Sequence, residues 1–287
     1  MKTASIVIPT FNRAHLVHRA IESAISQTYP CEVILCDHGS TDNTEEIAKR
    51  YEGKICYIRR FEDRGPIVCW HDGIEQANGE VIHITYDDDW IEPQFMEKSI
   101  RLLRSDIGFV YTNVKIYEPD TDYYHTLFNH PANIRPMREI VMFLLRERFA
   151  ISPGCAIFRR KDALKNLLLD VPNAKGKYHG AGEDLLLFLL TSLQYEKYAH
   201  INEPLACFLS HSGSITIDAI NTGKSRQLAA AYQMAKEYYY LQSGSIQPPD
   251  KFKKRIYFIL WKYRGNQIRK LVSFSFLRQL RWRMKSL

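Results

Sequence analysis

Hydrophobic and polar positions alternate along this chain in two rhythms. Ala4-Ser5-Ile6-Val7-Ile8 is a short β-branched run closed by Pro9, and it predicts a strand buried on both faces. From Ala14 the apolar residues Leu16, Val17, Ala20, Ile21, Ala24 and Ile25 recur at spacings of three and four, the stripe of an amphipathic helix that ends before Tyr29-Pro30. The alternation repeats: a strand over 32–36, a helix from the caps at Thr41 to Thr44 to near Tyr51, a strand over 54–58, a helix over 67–77 and a strand over 80–85. Strands and helices in this order predict right-handed βαβ crossovers and a parallel sheet, with ligands bound outside the carboxyl ends of the strands.

Beyond Pro93 the pattern predicts a helix over 94–104, a strand over 108–117, a polar stretch to about 136, a helix over 138–147 and a strand over 155–158. The helix over 183–193 carries an almost wholly apolar run, Leu185 to Leu190, and is expected to be buried. A strand over 205–209 leads into the polar loop His211 to Ser214. Helical patterning fills 218–242 and 251–285, parted by Gly244 to Asp250 with Pro248-Pro249. The expectation is an α/β domain over 1–215, in two halves (1–105 and 106–215), followed by a helical, basic extension over 216–287.

Composition narrows the picture. With 45% apolar and 25% charged residues among 287, the chain is globular, neither disordered nor collagen-like. No apolar run approaches the ~18 residues of a membrane span, and the N-terminus lacks a signal-peptide core, so a cytosolic protein is expected. Six cysteines without a C-x-x-C pair read as reduced core residues. The net charge of +7 is uneven: from Lys251 onward there are twelve Lys/Arg and no Asp/Glu, whereas 27 Lys/Arg against 32 Asp/Glu leave residues 1 to 250 at −5. Because the tail interleaves cations with Phe252, Tyr257, Phe258, Trp261, Tyr263, Phe274, Phe276 and Trp282, it suits an interfacial amphipathic helix on an anionic membrane surface. The alternatives are packing on the protein or pairing in a homo-oligomer; no recognition motif argues for nucleic acid.

Asp87-Asp88-Asp89 directly follows a predicted strand. Clustered carboxylates are tolerated where a cation compensates them, and their hard oxygens suit Mg2+ or Mn2+ beside phosphates; the other reading is a solvated turn capping the next helix. Gly182-Glu183-Asp184 opens the buried helix, where acids favour the helix N-terminus through capping and dipole.

Taken together, Ser5 to Arg13, Ser26-Gln27-Thr28-Tyr29-Pro30, Asp37-His38-Gly39-Ser40-Thr41-Asp42-Asn43-Thr44, Asn78-Gly79-Glu80 and the acids before Pro93 resemble the family 2 glycosyltransferases of GT-A fold. A weaker match runs through Gly182-Glu183-Asp184 and His211-Ser212-Gly213-Ser214. The resemblance implies a Rossmann-like, mostly parallel sheet and an inverting transfer from a UDP- or GDP-sugar to a saccharide acceptor, lipid-linked if the basic tail lies on a membrane. Pro9, Thr10, Asn12, Arg13, Asp37, His38, Arg64 and Asp87 would then contact the nucleotide. His38 stands where the family commonly has a second acid. Asp88, Asp89 and His211 would hold Mn2+ or Mg2+. Asp184 would be the base, with Glu183 orienting it or meeting the acceptor. Two other readings stay open: an inactive membrane-bound interaction module, and a sugar nucleotidyltransferase, although Pro9-Thr10-Phe11-Asn12-Arg13 lacks the Gly-rich, basic loop the latter requires.

Overall fold

The computed structural model describes residues 3–119, 123–126, 132–146, 151–170, 180–211 and 213–244. The expected helix over 251–285, and with it the basic aromatic tail, lies outside the described residues.

The N-terminal half alternates as its pattern predicts: β1 (Ala4–Thr10), α1 (Val17–Ile25), β2 (Glu32–Asp37), α2 (Thr44–Lys49), β3 (Cys56–Arg59), α3 (Pro66–Gln76) and β4 (Val81–Ile84). The rest comprises β5 (Trp90–Ile91), α4 (Phe95–Leu102), β6 (Ile107–Glu118), β7 (Tyr123–Thr126), β8 (Asn133–Pro136), α5 (Met137–Arg146), β9 (Ala156–Arg159), α6 (Arg160–Asn166), α7 (Glu183–Ser192), β10 (Lys197–Leu209), α8 (Ile215–Asn221) and α9 (Ser225–Gln242). The described strands form one sheet in the order β3-β2-β1-β4-β9-β6-β10-β5, with β7 on β6 and β8 on β10.

From β3 to β4 every pairing is parallel. β1 is buried along its whole length, as expected of a run with Ile6, Val7 and Ile8 between helices on both faces. The chain builds outward from β1 to β3 and returns to place β4 on the other side of β1, so a topological switch point, the usual ligand crevice of such sheets, opens at the carboxyl ends of β1 and β4. Beyond β4 the sheet is mixed. β9 runs antiparallel between β4 and β6, and β6 pairs parallel with β10.

Several elements differ from the sequence reading. The strand expected at 205–209 is the end of β10, which begins at Lys197; a register shift around Pro204, a residue that cannot donate to the ladder, separates its polar first part from the apolar second. The polar stretch before residue 136 holds β7 and β8. The continuous helix expected over 218–242 is two, parted at Gly223, whose φ of +71° no regular helix accepts. The compact unit runs through Ser243 and takes in α8 and α9, so the boundary expected at 215 falls inside it.

α7 lies among α5, α6, α9 and β6, and Leu185 through Leu190 are all buried, which explains a helix apolar on every side. All six cysteines are free, and four are buried as the sequence predicts. Among the described residues no helix is long and apolar enough to cross a membrane.

Candidate active site

The ends of β1 and β2 are stitched together by side chains. Asp37, fully buried at the end of β2, accepts from the Gly39 and Ser40 N–H groups (3.1 and 2.8 Å) through Oδ1 and from the Tyr57 hydroxyl (2.8 Å) through Oδ2. Both oxygens are therefore engaged in shaping the turn. Asn12 adopts a left-handed backbone with φ 54°, a conformation that asparagine tolerates best after glycine. Its N–H donates to Ser40 Oγ (2.9 Å), and its Oδ1 accepts from the Thr41 N–H (2.8 Å). Asp42 in turn accepts from the Ala14 N–H at 2.9 Å. The loop after β1, which begins at Pro9 and Thr10, is thus locked to the turn after β2.

His38 is buried against Phe11, the rings stacked 4.8 Å apart, and its Nδ1 lies 2.8 Å from Asp63 Oδ1. Asp63 also accepts from the Gly65 N–H, fixing the entry to α3, whereas Arg64 beside it is exposed and is not drawn into this cluster.

Across the switch point, Thr10 Oγ1 donates to Asp87 Oδ2 at 2.9 Å. Burial and the neighbouring Asp88 push the Asp87 carboxyl up to about 7, against the pull of Arg13 and of hydrogen bonds from Thr10 and the Phe11 backbone. Asp89 turns inward. Burial first and Asp88 second raise its pKa, and its Oδ1 accepts from the Leu209 N–H at 2.9 Å. That bond holds the end of β10 against the acids, so that His211, two residues on, brings Nε2 to 2.9 Å from Asp88 Oδ2. Arg13 closes the group: its Nη2 donates to the Gly213 carbonyl (2.8 Å) and its Nη1 lies 3.9 Å from Asp88.

The donor set fits a divalent cation. Asp88 and His211 place a carboxylate and an imidazole side by side, ligands that Mn2+ accepts together, and a cation would relieve the crowding of Asp88 on Asp87 and Asp89 that adds to the effect of their burial. Asp89 has one oxygen on the Leu209 N–H.

Asp184 opens α7. Its Oδ1 accepts from the Gly182 and Leu185 N–H groups (2.9 and 2.7 Å), and Oδ2 from the Tyr232 hydroxyl of α9 (3.0 Å). Burial raises its pKa above the ordinary carboxylate value, and these hydrogen bonds restrain the rise. Glu183, next to it, is buried. Tyr86 links the two edges: its phenol lies within electrostatic reach of both Asp184 and Asp89, and it accepts from Ser152 Oγ at 2.9 Å. The sequence does not single out Tyr86, Tyr232, Phe11 or Ser152; a tyrosine among the 17 in the chain carries no signal of its own.

A mixed sheet with its switch point at β1 and β4 and an acid cluster after β4 is the GT-A fold. The chain belongs to Glycosyl transferase family 2, whose family model matches residues 5–167. An uncharacterised glycosyltransferase of Rickettsia typhi is 39% identical over 100 residues, 34% of this chain and 31% of that protein. The Escherichia coli UDP-Glc:alpha-D-GlcNAc-diphosphoundecaprenol beta-1,3-glucosyltransferase WfgD is 28% identical over 115 residues, 39% of this chain and 46% of that protein. These matches thus span about a third to under a half of the relatives' length. Among solved structures, S. aureus TarS in complex with UDP superposes with a TM-score of 0.62 at 16% identity, covering 97% of this chain and 78% of that one. The Pyrobaculum calidifontis mannosyltransferase PcManGT, in complex with GDP-Man and Mn2+, gives 0.54 at 15% identity, covering 92% and 81%.

Proposed function

We propose that the protein transfers a sugar, with inversion, from a UDP- or GDP-sugar to a saccharide acceptor carried on a lipid, and that the catalytic unit extends to Ser243. The observation that supports this reading is Tyr86, which stands two residues before Asp88 in the chain, is hydrogen-bonded to Ser152 and lies within electrostatic reach of both Asp89 and Asp184.

In this reading the main chain around Pro9 and Thr10, the side chains of Asn12 and His38, and the Asp63 partner of His38 form the nucleoside wall. Asp37 shapes that wall from behind. Asp87 meets the ribose, and Arg13 answers the diphosphate charge. Asp88 and His211 would hold Mn2+ or Mg2+, which when bound neutralises the leaving nucleoside diphosphate. Asp184 removes the proton from the acceptor hydroxyl. The acceptor oxygen then bonds to the anomeric carbon from the face opposite the diphosphate, and the bond from that carbon to the phosphate oxygen breaks, its electron pair leaving with the nucleoside diphosphate. A base with a raised pKa suits this step, because proton transfer is most efficient when the base lies near the operating pH. Support for a lipid-linked acceptor comes from the E. coli relative, whose acceptor by name is diphosphoundecaprenol-linked, and from the acid-free basic tail, which suits an anionic membrane surface.

The test is a panel of UDP- and GDP-sugars with Mn2+ or Mg2+, following nucleoside diphosphate release by the wild type and Asp88→Ala. Release from one donor, lost on chelation and in the variant, is the expected result. Absence of binding to every nucleotide would return the chain to the reading of a non-catalytic interaction module.

A further inference from the structure

α9 falls in the stretch that sequence reading separated from the catalytic domain, yet it reaches the candidate base. A carboxylate offers about four lone-pair sites. On Asp184 the two of Oδ1 serve the Gly182 and Leu185 N–H groups, and one of Oδ2 serves the Tyr232 hydroxyl. Among the described residues, Tyr232 is the side chain that bonds Oδ2. The backbone leaves this arrangement little slack: Gly182 has φ +102°, and a Cβ there would lie 2.8 Å from the carbonyl oxygen of Ala231, the residue preceding Tyr232. The next turns of α9 are anchored by Ala235 and Tyr239, both buried.

We propose that Tyr232 is the positioning residue of the base: its hydroxyl fixes the rotation of the Asp184 carboxylate and so the direction in which Oδ2 meets the incoming O–H. This inference rests on the reading of Asp184 as the base. A carboxylate free to rotate would offer either oxygen in several orientations, and the loss of a fixed geometry at the reacting atoms lowers turnover without altering donor binding. The same bond favours the charged carboxylate, so its removal makes Asp184 easier to protonate. The titratable groups that face the pair are Tyr86, from the segment after β4, and Glu183 of α7; a change confined to the Tyr232 hydroxyl leaves both in place.

The experiment measures hydrolysis of whichever UDP- or GDP-sugar the wild type turns over. Water is then the acceptor: its O–H proton passes to Asp184, its oxygen bonds to the anomeric carbon, and the nucleoside diphosphate departs. Tyr232→Phe keeps the ring and removes only the hydroxyl. The expected result is a fall in kcat of about 10-fold or more at neutral pH with donor KM unchanged, and an acidic limb of the pH profile displaced upward by about one pH unit. Tyr238→Phe, which removes a hydroxyl from the same helix, is expected to match the wild type. An unchanged kcat and limb in Tyr232→Phe, or a lower kcat with an unmoved limb, overturns the inference. Asp184→Asn run alongside separates the two readings: if it is inactive while Tyr232→Phe is silent, the base stands and only the role of Tyr232 falls. If Asp184→Asn is as active as the wild type, the base reading fails and this inference with it.

Discussion

At the proposed donor edge, each contributing segment is short and closely follows a strand of the parallel sheet. Pro9 to Arg13, Asp37 to Ser40 and Asp87 to Asp89 are three short segments at the ends of adjacent parallel strands, joined by Thr10 to Asp87 and by Asn12 to Ser40 and Thr41. At the base edge a single carboxylate depends on α9, 48 residues further along the chain, and on a glycine that lets two backbones touch. The turns of the proposed donor edge form with the βαβ crossovers, and the end of β10 then adds His211 to Asp88. The proposed base edge has no such strand-end turn and takes its arrangement from the packing of α9 on α7.

The sharpest way to break this contrast is Asp184→Asn. The substitution keeps the shape and the Tyr232 contact but removes the proton acceptor, and it should lower kcat by about 1,000-fold, within the range that general base catalysis supplies, while donor affinity stays at the wild-type value. Comparable loss of donor affinity, read by titration with the nucleoside diphosphate, would mean that the two edges are not separable. At the other edge, Asn12→Ala removes the acceptor for the Thr41 N–H and places alanine at φ 54°; a stability loss of about 1–3 kcal/mol in urea unfolding is expected. A raised donor KM with kcat little changed should accompany it, because the substitution loosens the nucleoside wall and leaves the base alone. A kcat loss as large as that of Asp184→Asn would place Asn12 in the chemistry instead.

The same contrast explains what the sequence made legible. β1 to β4 and the three donor segments stand out because a period of apolar residues leads into each polar turn, and the turn lies where a parallel sheet binds ligands. Asp184 was visible as an acid opening an apolar helix. Its partner was not: Tyr232 lies on a helix with no unusual pattern, and only the packing of α9 on α7 selects it. β7, β8 and the first part of β10 were missed for a related reason. Lys197, His200, Asn202 and Glu203 are polar, and they become a strand through long-range pairing with β6 and β8 rather than through any alternation of their own. Asp37 shows the reverse: its motif was plain, but the engagement of both its oxygens in the turn could be seen only in three dimensions.

The smallest expected effect concerns the seam between the halves. His83 of β4, wholly buried, lies 2.8 Å through Nδ1 from the Ala156 carbonyl of β9 and packs on Phe95, so it sits where the parallel strands meet the antiparallel one. Burial lowers its pKa to about 4, the hydrogen bond to Ala156 opposing only part of that shift. Above about pH 6.5 the imidazole is neutral in both folded and unfolded chains and contributes nothing to pH dependence. As the pH falls from 6.5 towards 4, the unfolded chain binds a proton that the folded chain refuses, so stability declines by up to about 1.4 kcal/mol per pH unit from this group. His83→Gln removes the titration and keeps a side-chain donor for the Ala156 carbonyl. The difference between wild type and variant in urea unfolding should therefore shift by about 1.4 kcal/mol between pH 7 and 5.5, the wild type losing more, since the other titrating groups are common to both. A difference that stays constant with pH would mean that His83 accepts its proton in place, and that the seam admits charge where the rest of the core does not.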